Sequence, residues 1–223
     1  MRRIGILSLA LATALTVGCD RSKQEANETA VGTAGKTDGV SGRDKDFVRD
    51  VSTLNMTEVE LSRTAVQRSG DNELKKFAQL MIDDHTAAGD KLQATASQHN
   101  IPLAAQLDDK HSKLASELSQ KQGLDFDKAY IDAMVDGHKD VLDKLEGRVD
   151  KQRLAEWKAE AADIASGKKV REQGQTIAVV PEKSDDQVTS ALNTWAAAVY
   201  PIVAGHLDSA KVLQTAIKKR STN

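Results

Sequence analysis

Phe77-Ala78-Gln79-Leu80-Met81-Ile82-Asp83-Asp84-His85, followed by Thr86-Ala87-Ala88, is the stretch from which the fold can be read. Leu74, Ala78, Met81, Ala88 and Leu92 recur at helical spacing and form one stripe, and His85 falls inside it. A histidine on the buried face of a helix, preceded by two aspartates, needs a partner in the core. Three other long helical segments each carry one polar residue at the equivalent place.

Upstream, Asp44 or Asp46 is expected to cap a helix running to about Ser69, with Phe47, Val51, Leu54, Glu58, Leu61 and Ala65 as its stripe. Ser69-Gly70-Asp71 stops this helix and caps the next, and so short a loop forces an antiparallel hairpin. The second long helix should end near His99, before Asn100-Ile101-Pro102. Between Leu103 and Gln122 the spacing predicts a shorter amphipathic helix with Leu103, Leu107, Leu114, Leu118 and His111 on one side. Gly123 then ends it and Asp125 caps a third long helix, which presents Tyr130, Ile131, Met134, His138, Val141 and Leu145 on one face.

Residues 147–183 read as an irregular insertion outside the four stripes. It holds a short helix with Leu154, Trp157, Ala161 and Ile164 on one face, a polar loop, and Ile177-Ala178-Val179-Val180 as a hairpin or edge strand. Ser184 with Gln187 forms a capping box for the last helix, which runs to about Lys219. Leu192, Trp195, Val199, Ile202, His206, Ala210 and Leu213 should face inward there, with a kink at Pro201. The expected class is all-α: an antiparallel four-helix bundle with an extra short helix between the second and third long helices. Aromatic content of 3% and three prolines agree with that class.

The N-terminus has a different character. Met1-Arg2-Arg3, an apolar run from Ile4 to Val17, and Gly18-Cys19 make residues 1–18 a secretory signal, too short to span a membrane as a mature helix. Leu15-Thr16-Val17-Gly18-Cys19 resembles the lipobox of bacterial lipoproteins, which implies lipidation of Cys19, the sole cysteine; Thr16 stands where that motif more often has leucine. An ordinary cleaved signal with an incidental cysteine is the alternative. Residues 19–43 are polar and glycine-punctuated, a flexible tether reaching roughly 27 Å as a coil. The folded domain is expected over residues 44–220. Loss of Arg2 and Arg3 with the signal moves the formal charge from −2 to −4, and no clustered basic face suggests nucleic-acid binding. A lone cysteine offers no internal disulfide, so the core alone must hold an exported domain together.

Glu58, His85, His138 and His206 come from four different long helices. Measured from Gly70, Glu58 and His85 differ in depth by three residues, roughly 4.5 Å of rise, which a glutamate side chain can span. His85 and His138 should meet at one level, while the insertion hides the depth of His206. Two readings stand side by side. The four are core polar groups that satisfy one another and set the bundle's register, or they are three nitrogens and one oxygen of a site for zinc, copper, nickel or iron. In the metal reading Asp84 (or Asp83), Asp136 and Asp208 are candidate acceptors behind the three histidines. His111 reads as half-exposed, His99 as a helix-end residue, and Glu60 as a spare ligand at best.

Glu58-Val59-Glu60-Leu61, Phe77 to His85, Phe126-Asp127-Lys128-Ala129-Tyr130 with Met134 and His138, and Gly205-His206-Leu207 together resemble one bacterial family. It is a domain-of-unknown-function family of exported, ferritin-like four-helix bundles often labelled outer membrane proteins, and the resemblance covers about 44–146 and 185–216. It implies a ferritin-like bundle in the cell envelope, facing the periplasm, and no activity. The 147–183 insertion is longer than the connection usual in that family. A di-iron centre would need Glu-x-x-His on two helices, and that motif is absent from the sequence. Nor is there a nucleophile elbow, a glycine-rich phosphate loop or His-Glu-x-x-His. The remaining functions are a membrane-anchored bundle that buffers or delivers a transition metal, or a non-catalytic envelope scaffold or stress-related interaction protein with a structural His/Glu core; an enzyme is the least supported.

Overall fold

The computed structural model describes residues 39–168 and 177–220, and the signal and Cys19 lie outside them. Six helices make up the regular structure of the described residues: α1 (Gly42–Arg68), α2 (Asn72–Ser97), α3 (Asp109–Ser119), α4 (Gly123–Glu146), α5 (Lys151–Ala165) and α6 (Gln187–Arg220). No strand forms among these residues: Ile177–Val180 is irregular, and an isolated bridge pairs Val149 with the next residue, Pro181. None of the described helices is long and apolar enough to cross a membrane.

The four long helices form a bundle in which α1 packs on α2 and α4, and α6 packs on the same two. The apolar residues fall into two clusters, and these give the helix directions. One cluster joins Val48 and Val51 of α1, Leu92 and Ala96 of α2, Val141 and Leu145 of α4, and Val188 and Leu192 of α6. The other joins Leu61 and Ala65, Leu74 and Phe77, Phe126 and Tyr130, and Leu207 and Ile217. Neighbouring helices are therefore antiparallel, while α2 and α4, which face each other diagonally, run the same way. The connection between them must travel the length of the bundle. It carries α3, which lies on α1 and α4.

Several boundaries differ from expectation, each for a local reason. Ser41 rather than Asp44 caps α1: its hydroxyl accepts the Asp44 N–H at 3.1 Å, and the Asp44 carboxylate turns inward. The bundle thus begins at Gly42. Residues 103–108 stay outside α3, whose cap is Asp108. Gly123 does not end α3 but starts α4 with φ of +54°, a conformation that suits glycine. Asp186, not Ser184, caps α6, accepting the Thr189 N–H at 2.8 Å. Ile202 is 45% exposed rather than inward. Helix α6 continues through Pro201, which offers no N–H to the Ala197 carbonyl one turn back.

The insertion is part of the core rather than an appendage. Val149 and Leu154 are buried in the first apolar cluster, and Trp157 meets the Tyr200 ring edge-to-face at 5.7 Å. Beside them lies the buried pair Arg148–Asp44 at 2.5 Å. Ser41 and Thr189 hydroxyls also donate to Asp44, and the Arg148 guanidinium stacks over Phe47. Burial alone would push the Asp44 carboxyl up, but these donors and the Arg148 charge together hold it below the usual range. A carboxyl lowered on folding stabilises fully above its unfolded pKa, near 4, and loses that contribution as pH falls through the lower folded value. Asp44→Ala should cost about 3–5 kcal/mol in urea unfolding at pH 7, because Arg148 is left buried without its partner. The variant should also lose stability less steeply than wild type below about pH 4.

Candidate metal centre

Between the two apolar clusters lies one polar layer. Glu58, His85, His138 and His206 occupy it, each at most 5% exposed. The three imidazole centroids form a near-equilateral triangle with sides of 5.4, 5.5 and 5.5 Å. One ring nitrogen from each lies within 4.8 Å of the other two. The Glu58 carboxylate enters the same layer from α1, with Oε2 3.0 Å from His85 Nε2 and Oε1 3.1 Å from His138 Nδ1.

Each histidine has one nitrogen engaged outside the triangle. His85 Nδ1 pairs with Asn55 Oδ1 at 3.1 Å, His138 Nδ1 donates to the Met134 carbonyl at 2.8 Å, and His206 Nε2 to Asp84 Oδ2 at 2.8 Å. The carbonyl and the carboxylate set the tautomers of His138 and His206, because a neutral imidazole carries one N–H. The remaining nitrogens, His85 Nε2, His138 Nε2 and His206 Nδ1, are buried with no hydrogen-bond partner among the described residues, as are both Glu58 oxygens. A buried lone pair without a donor is costly, and here five such atoms share one layer. His85 Nε2 lies 3.0 Å from Glu58 Oε2 without meeting hydrogen-bond geometry.

Electrostatics bind the layer together. Burial would raise the Glu58 carboxyl, yet the three neighbouring imidazoles carry it below the ordinary carboxylate range. Burial lowers His85 and His206, which therefore favour the neutral, lone-pair-bearing form. For His138 burial also works downward, but the Glu58 carboxylate 3.1 Å from its Nδ1 and the bond to the Met134 carbonyl raise it overall.

Of the three expected aspartate acceptors, Asp84 alone bonds a layer histidine, and that is His206 on α6 rather than its sequence neighbour His85. Asp136 and Asp208 are corrections: their side chains are 76% and 82% exposed and face Lys139 and Lys211. Each lies two residues from its histidine, a step of about 200° around a helix, which turns it to the opposite face. Glu60 is exposed, and Asp83 bonds Gln79 on the surface. His111 is more buried than expected, but it pairs with its own helix cap, Asp108, at 2.6 Å.

Sequence reasoning missed Asn55 and two glycines. A Cβ on Gly137 would lie 2.7 Å from Glu58 Oε1, and one on Gly89 would lie 2.8 Å from Asn55 Nδ2. Gly137 on α4 and Gly89 on α2 thus seat the two polar side chains that α1 sends into the layer. A glycine in mid-helix costs about 1 kcal/mol against alanine, and that cost was the available signal. Gly137→Ala should forfeit the expected helical gain of about 1 kcal/mol and push Glu58 off His138. The His138 imidazole pKa, followed by NMR, should then fall. A stabilised variant with an unmoved His138 titration would remove this role.

A helical bundle with a buried, histidine-rich centre is the class that this geometry defines. The chain belongs to the family described as Domain of unknown function (DUF4142), whose model matches residues 29–167, more than half of the chain. Glu58, His85 and His138 lie within the matched stretch, and His206 on α6 lies beyond it. Searches of curated proteins and of solved structures find no match.

Proposed function

We propose that this protein is an exported, lipid-anchored, ferritin-like bundle that binds one transition-metal ion through His85, His138 and His206, with Glu58 as the fourth donor. The observation that carries the reading is the pairing of the ring nitrogens. Each histidine pairs one ring nitrogen with an oxygen outside the triangle, leaving the other three ring nitrogens buried in one layer beside a carboxylate. That is the division of labour expected behind metal-bound imidazoles. Three nitrogens and one oxygen suit zinc, copper, nickel or iron. Tetrahedral ligands on zinc sit roughly 3.4 Å apart, so binding would draw the nitrogens inward by ~1.4 Å at most from the observed 4.8 Å limit. Rings on helices across a bundle can make that adjustment by small side-chain rotations.

The ferritin-like part rests on topology: two antiparallel hairpins, α1–α2 and α4–α6, joined by a connection that runs the length of the bundle between parallel diagonal helices. Export and anchoring rest on the N-terminal sequence alone, with Cys19 as the lipidated residue and the cell envelope as the place. The membrane would be engaged through that lipid, with the bundle facing the periplasm. Buffering or delivery of the ion is the role this reading carries.

The competing reading keeps the layer purely structural, and the 3.0 and 3.1 Å approaches of Glu58 to His85 and His138 favour it. Metal analysis of protein purified without an affinity tag separates the two. The expected result is one ion per chain, a melting temperature raised by added metal at pH 7.5, and loss of that effect near pH 5 as the histidines protonate. Asn55→Ala and Asp84→Asn should each weaken metal affinity by about 10–100-fold while leaving all four donors in place. Equal melting temperatures with and without zinc, copper, nickel or iron would leave the structural reading. In that case His85→Ala and His138→Ala should still couple by ~0.5–3 kcal/mol.

Lipidation has its own test. Cys19→Ala should move the protein out of the membrane fraction and abolish palmitate labelling; unchanged labelling would remove the anchor.

A further inference from the structure

Methionine is scarce in this chain and unevenly placed. Beyond Met1 there are three, and two of them repeat one spacing: Met-x-x-x-His runs from Met81 to His85 in α2 and from Met134 to His138 in α4. The two helices run the same way, so both methionines stand on one side of the histidine layer. Four residues separate each from its histidine, about 6 Å of helical rise. Both are 0% exposed and belong to the second apolar cluster. Ser62 and Ala210 stand at the same level, four residues past Glu58 on α1 and past His206 on α6. The layer next to the histidines is therefore Ser62, Met81, Met134 and Ala210, and the methionines are its only donors for a soft metal.

Side chains of a helix lean toward its N-terminus, which tilts the rings carried by α2 and α4 toward the methionine turns. His138 shows the tilt, since its Nδ1 donates to the Met134 carbonyl at 2.8 Å. The Met134 sulfur is itself held. The Ser62 hydroxyl, 2.9 Å from the Tyr130 hydroxyl, donates to Met134 Sδ at 3.9 Å. That contact orients the thioether, which the mere filling of a core gap does not require.

Resting on the metal reading above, we infer that the ion is copper in its reduced state, and that Met81 and Met134 are the residues that select it. Copper(I) is soft and is chosen by thioether and imidazole ligands, whereas carboxylate oxygen suits harder ions. Imidazole nitrogens from the triangle and thioether sulfur from the next turn make the donor set for copper(I). Glu58 stays the fourth donor for zinc. No vacant position is involved, because sulfur takes the place of the carboxylate oxygen. The three rotatable bonds of methionine let Sδ turn toward the layer while the backbone stays in place.

Selenomethionine-labelled full-length protein, loaded with copper(I) under anaerobic reducing conditions, is read at the selenium X-ray absorption edge. Copper bound to a methionine then appears as a neighbour of selenium, and Cys19 contributes nothing to the signal. Copper(I) and zinc affinities are measured by chelator competition on unlabelled protein. Wild type is expected to bind one copper(I) per chain and to show selenium–copper scattering. Met81→Leu and Met134→Leu conserve volume. Each should bind copper(I) at least roughly tenfold more weakly, the lower bound for losing a group behind a ligand, and zinc as tightly as wild type. Either variant serves if the other fails to fold, and the wild-type edge measurement needs neither. Copper(I)-loaded wild type without selenium–copper scattering overturns the selection by methionine and leaves the metal site standing. Unchanged copper(I) affinity in either folded variant overturns it too, as does an equal loss of zinc and copper(I), which marks a packing role. An affinity loss that follows Met56→Leu instead also overturns it. Wild type that binds neither zinc nor copper(I) overturns the metal reading and this inference with it.

Discussion

A carboxylate buried among three imidazoles is the constraint on which the rest of the bundle depends. Glu58 is 1% exposed, in the middle of a core that is otherwise apolar. Burial alone would raise its carboxyl, and the neighbouring His85, His138 and His206 hold it below the ordinary range. The layer divides the core into two apolar clusters and requires α1, α2, α4 and α6 to stand at one relative height. Sliding any helix by a turn, about 5.4 Å, would set a histidine against leucine and leave its lone pair stranded. Polar burial of this kind contributes little net stability, but it penalises every wrong register.

The layer is asymmetric in its construction. Helix α1 supplies the long reach, sending Glu58 toward α4 and Asn55 toward α2. Both partner helices yield room by placing glycine at the crossing, Gly137 and Gly89. Imidazoles, by contrast, come from the three other helices and are aimed by groups outside the triangle: a side-chain amide, a backbone carbonyl and a carboxylate. The three partners differ in kind but share one effect, which is to turn the other ring nitrogen inward.

The far end of the bundle is held by a different device. Asp44, Arg148 and Thr189 tie the starts of α1 and α6 to the end of α4. The insertion packs Leu154 and Trp157 under them. This end cap is a buried ion pair with every carboxylate oxygen used, unlike the histidine layer, where the inward-facing atoms are left without donors. The contrast separates the two polar clusters of the core.

Much of this was legible along the chain. Stripes at steps of three and four marked the four long helices, because burying one face of a helix imposes a 3.6-residue period on its residues. The same period exposed Glu58, His85, His138 and His206 as polar residues in apolar positions, and the short Ser69-Gly70-Asp71 turn set the first two at compatible depths. What the chain could not declare was anything that depends on rotation about a helix axis or on contact between distant segments. Asp136 and Asp208 neighbour their histidines in sequence but point away from them, since two residues are more than half a turn. Asn55 gave no signal, because a polar residue beside the stripe means solvent unless a neighbouring helix offers a glycine. Nor could periodicity foresee that residues 147–165 would close one end of the core, as their buried faces fit a surface assembled only when all four helices have met. Helix identity was local and therefore readable; the aim of each imidazole was decided by tertiary packing, which alone supplies the acceptor behind it.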